Sequence, residues 1–305
     1  MNNIYDVIIV GAGAAGLAAA IYTGRAKLDT LLLEREVIGG ELMNRELIEN
    51  YPGFPEGILG PELGSQMATQ AMNCGAEIEL CMVEGIGVEG NYRTVRTTEE
   101  EYLAKGVIIA GGARTRRLGV PGEADLAEKG VIYCATCEGP QFGGKVVSVV
   151  GGGDSGVTEA LFLARIAKKV ILVTDYLLAS KTLQERLLSN PKVEVRVGFT
   201  IAAIHGQEHV EAVDLISLDK EQKGTIDCDG VLVRVGLEPN TAYLRDSVPL
   251  SGRGQVLVDL AMGSEVPGIF AAGDIRHNSP MQFGTAVGDG ITAALSLERY
   301  LVHSR

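Results

Sequence analysis

The chain has 305 residues, of which 46% are hydrophobic and 22% charged, a composition typical of a globular protein with more than one domain. Its formal net charge of −12 disfavours nucleic acid and anionic membranes as partners, because their phosphate groups would be repelled. The sequence has no apolar stretch of the roughly 18 residues that span a bilayer, and we therefore expect a cytoplasmic protein.

The amino-terminal segment has the pattern of a nucleotide-binding βαβ unit. Apolar residues at Ile4–Val10 predict a buried strand, residues 17–24 an alanine-rich helix, and residues 30–33 a second strand that ends at Glu34. The sequence Gly-Ala-Gly-Ala-Ala-Gly follows the first strand. In this context the glycines permit a tight turn, approach of a pyrophosphate and close packing, while the carboxylate accepts hydrogen bonds from ribose. The residues predicted to bind this dinucleotide are Gly11, Gly13, Ala14, Ala15, Gly16 and Glu34.

The same pattern recurs in the middle of the chain. A strand is predicted at Val146–Val150, a helix at residues 157–167 and a further strand at residues 170–173. The glycine motif between them predicts a second dinucleotide site. Its predicted binding residues are Gly151, Gly153, Asp154, Ser155 and Gly156.

The rest of the chain is predicted to alternate between strands and helices. Further strands are expected at Tyr92–Thr97, 107–110, Val193–Val197, 210–218, 231–235 and 266–272. A Pro- and Gly-rich loop is expected at 50–61, and helices at 62–75 and 285–301. Gly273 and Asp274 follow the last strand, where the carboxylate either binds a ribitol or phosphate group or belongs to a surface turn.

Two of the five cysteines, Cys134 and Cys137, are separated by only two residues. A redox dithiol is favoured over a buried inert pair, because this spacing lets the sulfurs bond and one thiol become an attacking thiolate. A zinc site would need two more ligands, and only His205 and His209 have a suggestive spacing, so we expect no metal. Glu138 either carries the proton that dithiol chemistry requires or is a solvated loop carboxylate.

Together these motifs resemble the low-molecular-weight thioredoxin reductase family nearly from end to end. The matching segments are Gly11 to Gly16 with Glu34, Gly39 and Gly40, residues 50–55 and 108–113, Cys134 to Cys137, and residues 236–241 and 268–274. The resemblance implies an α/β fold with two Rossmann-like dinucleotide-binding domains, the second inserted in the first. FAD would be bound by residues 1–115 and 246–305, and residues 116–245 would form an NAD(P)-like domain that carries the cysteines. A homodimer is also implied.

The resemblance implies roles for individual residues. Cys137 would lie nearer the flavin, Cys134 would attack the disulfide of the partner protein, and the smaller domain would rotate between two states. The further cofactor contacts that it implies are Gly40, Glu41, Asn50, Ala110, Gly111, Gly273, Asp274, Gln282 and Phe283.

Four positions depart from the family pattern around the flavin and the cysteines. Glu41, Gly111 and Met281 stand where the family usually has Gln, Thr and Arg. Glu138 stands where it usually has Asp. We expect these changes to alter the flavin potential.

The largest departure follows the second βαβ unit. Family members that use NADPH have a His-Arg-Arg run there, because guanidinium groups bind a 2′-phosphate. This chain has Thr-Asp-Tyr at residues 174–176. Asp175 would repel a 2′-phosphate and accept hydrogen bonds from free ribose hydroxyls, so NADH is favoured over NADPH. Lys168, Lys169 and Lys181 are the cations that would have to offset this carboxylate.

Three functions follow from this pattern. The first is an FAD-dependent reductase that takes electrons from NADH, or from reduced ferredoxin, and passes them through the Cys134/Cys137 disulfide to thioredoxin or a similar protein. The second is a flavin dithiol oxidase that uses oxygen. The third is a redox-sensing flavoprotein without turnover.

Overall fold

The computed structural model describes residues 4–244 and 246–303. The chain divides into two compact units, one formed by Met1–Arg114 with Glu238–Arg305 and the other by Thr115–Leu237. The predicted α/β class, with one dinucleotide-binding fold inserted in another, is confirmed. The inserted unit ends at Leu237. The sequence-based boundary is at residue 245, which lies outside the described residues.

Helices connect some of the strands, while other strands follow one another directly along the chain. The strands are β1 Ile4–Val10, β2 Thr30–Glu34, β3 Leu47–Ile48, β4 Ile58–Leu59, β5 Glu77–Leu80, β6 Val83–Glu89, β7 Tyr92–Thr97, β8 Glu101–Ile109, β9 Ala113–Thr115, β10 Val131–Ile132, β11 Val146–Val150, β12 Lys169–Thr174, β13 Val193–Val197, β14 Phe199–Gly206, β15 Val210–Ser217, β16 Lys223–Asp227, β17 Gly230–Val233, β18 Leu237–Pro239 and β19 Ile269–Ala271. The α-helices are α1 Ala14–Arg25, α2 Gly60–Asn73, α3 Ala135–Glu138, α4 Asp154–Ile166, α5 Lys181–Leu188 and α6 Phe283–His303.

The sheet of the first unit has the order β5-β2-β1-β8-β7-β6, and β19 pairs with β8 in parallel. The strands β5, β2, β1 and β8 are also parallel, while β6 and β7 are antiparallel additions. Chain order therefore reverses at β1, which lies between β2 and β8. In parallel α/β sheets, ligands bind at such a switch point, outside the carboxyl ends of the strands.

The main sheet of the second unit repeats this arrangement in the order β10-β17-β11-β12-β13, with all strands parallel. Chain order reverses at β11, so the carboxyl end of that strand is the second switch point. A separate antiparallel sheet, β14-β15-β16, belongs to the same unit. Two glycine-led turns are thus placed at equivalent positions of two similar sheets.

Each parallel sheet is covered on both faces. In the first unit, α1, α2 and α6 pack against one face, and Leu244, Val248 and Val256, which follow β18, pack against the other. In the second unit, α4 and α5 cover one face and the antiparallel sheet covers the other. Burial on both faces explains why these strands are almost continuously apolar. Within the described residues, no helix combines the length and apolarity needed to cross a membrane.

A buried arginine joins β7 to the end of the chain, and its loss provides a test of the first unit. Arg93 is 5% exposed and donates to Pro267 O at 2.7 Å and to the Tyr300 hydroxyl at 3.1 Å. We expect Arg93→Met to lower the free energy of unfolding by about 2 kcal/mol, because two part-buried hydrogen bonds from a charged donor are lost. Urea denaturation measures this change. Arg96→Met, on an exposed position of the same strand, should change it by less than about 0.5 kcal/mol, and equal effects would contradict this assignment.

Candidate active site

The first glycine turn connects β1 to α1 and packs the start of the helix and the end of β8 closely against Gly11. Gly11 has φ +105°, and a Cβ there would lie 2.4 Å from Ala110 O at the end of β8. A Cβ on Gly16 would lie 1.8 Å from Gly11 O, so neither position accepts a side chain. A Cβ on Gly13 would meet no atom within 4 Å. The turn is therefore closed by its outer glycines and open at Gly13, at the amino end of α1, where backbone N–H groups attract anions.

The Glu34 side chain reaches this turn from the end of β2. Its Oε2 accepts a hydrogen bond from Ala12 N at 2.7 Å, and its Oε1 accepts one from Glu36 N at 2.9 Å. The two donors fix the carboxylate beside the glycine motif, as the sequence pattern predicts for a ribose-binding acid.

Several other predicted FAD residues lie against the same turn. A Cβ on Gly40 would be 3.1 Å from Gly13 Cα, and one on Gly273 would be 2.9 Å from the Ala15 side chain. Ala14 is buried in the first turn of α1. The structure thus brings segments from both ends of the chain to one glycine turn.

Among the remaining predicted FAD residues, Asn50 and Gln282 contact each other, while Glu41 and Gly111 have other neighbours. Asn50 Nδ2 donates to Gln282 Oε1 at 3.0 Å, next to Phe283 at the start of α6. Glu41 pairs with Arg45 at 3.7 Å. At Gly111, the position of the usual Thr, a Cβ would be 3.1 Å from the Tyr243 hydroxyl.

Asp274 is a half-buried carboxylate with a single described hydrogen bond, from the Ser279 hydroxyl to Oδ1 at 3.1 Å. Burial raises the pKa of this carboxyl, and the nearby Glu41 raises it further. A ligand rich in hydroxyl groups would supply donors to it. The open space at Gly13 and the carboxylate of Asp274, which accepts only one described hydrogen bond, together fit a dinucleotide with a polyol chain, as FAD has.

The backbone before Asp274 is held by an ion pair that sequence reasoning missed. Asp289 on α6 binds Arg276 through both oxygens, at 2.7 and 2.9 Å, and also accepts from Gly273 N at 3.2 Å. The sequence contained one sign of this pair: Asp289 stands on the otherwise apolar face of the helix predicted at 285–301, and a buried carboxylate needs a partner.

In the second unit, Cys134 and Cys137 form a disulfide with Cα atoms 5.4 Å apart. Cys134 precedes the single turn α3, and its sulfur accepts from Cys137 N at 3.2 Å and contacts the Thr136 hydroxyl at 3.3 Å. Cys137 is exposed and Cys134 half-buried. These donors would stabilise a thiolate at Cys134 once the disulfide is reduced.

Glu138 lies directly beside the pair. Its Oε2 accepts from Tyr133 N at 3.3 Å. The Tyr133 hydroxyl in turn donates to buried Glu123 at 2.9 Å, and burial together with this bond raises the pKa of Tyr133 to about 12. Tyr133 thus links Glu123 to Glu138 and supports the segment that carries Cys134.

A buried ion pair also contacts the cysteine segment. Glu159 Oε1 binds Arg234 Nη2 at 2.7 Å, and Glu159 Oε2 accepts from the backbone N–H of Ala135 at 3.2 Å. Ala135 lies between the two cysteines. Sequence reasoning missed both charged residues, although Glu159 stands on the apolar face of predicted helix α4.

The second glycine turn repeats the geometry of the first. A Cβ on Gly151 would lie 2.0 Å from Arg234 O, and one on Gly156 would lie 2.2 Å from Gly151 O. A Cβ on Gly153 would again meet nothing within 4 Å. Asp154 and Ser155 follow in the first turn of α4. The structure thus offers a second open turn at the amino end of a helix.

The segment after β12 folds over this second turn. Gly152 O accepts from Leu178 N and Ala179 N at 2.8 and 2.9 Å, and Asp154 Oδ1 accepts from Ser180 N at 2.7 Å. Asp175 is exposed at the carboxyl end of β12, and its Oδ1 accepts from Tyr176 N at 2.8 Å.

The zinc site considered from the sequence would involve His205 and His209. His205 Nε2 bonds Asp214 Oδ2 at 2.8 Å, on the antiparallel sheet. In residues 4–244 and 246–303, no three His, Cys, Asp or Glu side chains are grouped so as to hold a metal ion.

Comparison with known proteins identifies the family. The model of the pyridine nucleotide-disulphide oxidoreductases matches residues 5–290. The thioredoxin reductase of Bacillus subtilis (strain 168) is 43% identical over 303 residues, which cover 98% of this chain and 96% of the relative. The chain belongs to the low-molecular-weight thioredoxin reductase family.

Solved thioredoxin reductases have the same fold. The Lactococcus lactis thioredoxin reductase in its FR conformation superposes with a TM-score of 0.96 at 38% identity, covering 98% of this chain and 99% of the other. The T. acidophilum thioredoxin reductase gives 0.94 at 35% identity, covering 99% of each chain. The predicted membership is confirmed, and this thioredoxin reductase homologue is an FAD-dependent disulfide oxidoreductase.

The first glycine turn of this family member gives a paired test of cofactor binding. We expect Gly13→Ala to fold but to bind FAD at least about tenfold more weakly, because its methyl group would occupy the open space beside α1. Gly16→Ala should lose both FAD and thermal stability, because its methyl group would collide with Gly11 O. Flavin content after purification and titration of apoprotein with FAD measure these effects. Unchanged FAD affinity in Gly13→Ala would contradict the assignment of this turn.

Proposed function

We propose that this enzyme passes electrons from NADH through FAD to the Cys134–Cys137 disulfide, and from there to thioredoxin or a thioredoxin-like protein. The observation that carries this proposal is the disulfide itself, which lies in the same unit as the second glycine turn. Family membership supports the FAD and disulfide steps. A homodimer remains a prediction.

The first glycine turn and its surroundings would hold FAD, which supplies two-electron transfer between the nucleotide and the disulfide. Glu34 would accept from ribose hydroxyls, and Asp274 would accept from the ribityl chain. The proposed FAD-binding residues are Gly11, Gly13, Ala14, Ala15, Gly16, Glu34, Gly40, Glu41, Asn50, Ala110, Gly111, Gly273, Asp274, Gln282 and Phe283.

In the disulfide step, two electrons break the Cys134–Cys137 bond and leave one thiolate and one thiol after uptake of one proton. Cys134 would be the thiolate, because Cys137 N–H points at its sulfur. It would attack the partner's disulfide to form a mixed disulfide, and Cys137 would then release the reduced partner. Glu138, next to Cys137, would move the proton.

The second glycine turn would hold the pyrophosphate of the nucleotide, through Gly151, Gly153, Asp154, Ser155 and Gly156. Its position at the carboxyl end of β11 is the switch point of the sheet.

Asp175 supports NADH as the donor. It follows the last residue of β12, where an acidic side chain accepts hydrogen bonds from the free ribose hydroxyls of NADH and repels the 2′-phosphate of NADPH. Lys169 begins this strand and Lys168 precedes it, so the two lie roughly 20 and 23 Å from Asp175 at about 3.3 Å per residue. Lys169 Nζ is also paired with Glu194 at 2.6 Å. Lys181, which begins α5, follows Asp175 by six residues.

Removing the charge of Asp175 tests this preference. We expect Asp175→Asn to raise the ratio of kcat/KM for NADPH over NADH at least about tenfold, since the repulsion is lost. Glu185→Gln removes a carboxylate from the exposed surface of α5 and should leave the ratio unchanged. Steady-state assays with both nucleotides measure it. A wild-type enzyme that already prefers NADPH would contradict the proposal.

The donor and the reaction are tested together by anaerobic mixing. NADH should bleach the flavin absorbance, and thioredoxin disulfide should then be reduced in continuous turnover. If reduced ferredoxin bleaches the flavin and NADH does not, then ferredoxin and not NADH is the electron donor. Peroxide release from a small dithiol in air, without nucleotide oxidation, would favour the oxidase instead. If a partner protein binds in response to the redox state of the enzyme but no disulfide is turned over, the redox-sensing function would be favoured.

A further inference from the structure

We propose that Glu159 and Arg234 position the segment between the redox cysteines and set the equilibrium between disulfide and dithiol. This inference rests on the proposed function, which assigns the redox role to Cys134 and Cys137. Glu159 acts through the backbone N–H of Ala135 and Arg234 acts through Glu159, so both are positioning residues.

The geometry ties the pair directly to the disulfide. The Glu159 and Arg234 side chains are only 6% and 4% exposed, and their closest atoms are 2.7 Å apart. The second oxygen of Glu159 accepts the N–H of Ala135, the first residue of the turn that separates the two sulfurs. The orientation of that turn therefore depends on where Glu159 stands.

The same pair is anchored to the second glycine turn. Arg234 N donates to Val150 O at 2.7 Å, and Arg234 O is the atom that a Cβ on Gly151 would strike. Arg234 Nη1 also binds the Thr115 hydroxyl at 2.8 Å. The nucleotide turn and the cysteine turn thus share one buried support within the second unit.

Electrostatics give the pair a role beyond geometry. Reduction of the disulfide creates negative charge at a thiolate, and a nearby unpaired charge in a buried site shifts such an equilibrium strongly. While Glu159 and Arg234 are paired, their opposite fields largely cancel at the sulfurs. Removing one charge leaves the other, so the two single changes should act in opposite directions.

The test is a glutathione titration of the FAD-loaded enzyme. Two glutathione thiols reduce the protein disulfide: its S–S bond breaks, the S–S bond of glutathione disulfide forms, two electrons and one proton pass to the cysteine pair to leave one thiolate and one thiol, and the second proton is released to solvent. Acid quenching, alkylation and mass analysis of the peptide that contains both cysteines give the dithiol fraction.

We expect Glu159→Gln to shift this equilibrium about tenfold toward the dithiol, which corresponds to about 30 mV. Arg234→Gln should shift it about tenfold toward the disulfide. The double variant, which is neutral at both positions, should return to within about threefold of wild type. Glu194→Gln is the matched control: it breaks the Lys169–Glu194 pair in the same unit and should leave the equilibrium unchanged.

A purely structural role would move both single variants in the same direction, and this result, or the absence of any shift, would overturn the inference. If Arg234→Gln does not fold, the difference between Glu159→Gln and the double variant still gives the sign. A wild-type disulfide that neither glutathione nor NADH reduces would instead overturn the proposed function, so the two failures are distinguishable.

Discussion

Both dinucleotide turns depend on contact between a glycine and the backbone of a neighbouring strand. Gly11 lies against Ala110 at the end of β8, and Gly151 lies against Arg234 just beyond β17, at distances that no Cβ permits. This contact exists because β1 and β11 occupy the switch points of their sheets. It leaves the middle glycine of each turn facing open space at a helix amino end, where a pyrophosphate is stabilised by N–H groups. The geometry of the two glycine turns thus follows from one packing constraint.

The two turns differ in what is built around them. Around the first, both ends of the chain meet, and Asp289 with Arg276 holds the backbone that presents Asp274. Around the second, the residue that closes the turn, Arg234, also pairs with the carboxylate that supports the cysteine segment. The second glycine turn and the cysteine segment are therefore connected through buried polar contacts inside one unit, and such contacts are sensitive to the loss of either partner.

The sequence predicted much of this fold, and its errors have physical causes. Ile4–Val10 and Val146–Val150 have the predicted bounds, because buried apolar runs that end in glycine leave little freedom. Helices α1 and α4 begin three residues earlier than predicted, directly after the middle glycine that caps each of them. The strand expected at 266–272 starts only at Ile269, because Gly268 has φ +75°.

Strand β14 was not predicted, because an irregularity between Ile201 and Ala203 interrupts its alternation. At the site, motif residues were found because their chemistry is local in sequence. The Glu159–Arg234 and Asp289–Arg276 pairs were not found, because neither partner is recognisable without the fold that joins them.

Anaerobic reductive titration tests most directly whether the Cys134–Cys137 disulfide exchanges electrons with the flavin. Wild-type enzyme should accept two more electrons per flavin than a variant with Cys134→Ser and Cys137→Ser, whereas equal uptake by both proteins would contradict such an exchange.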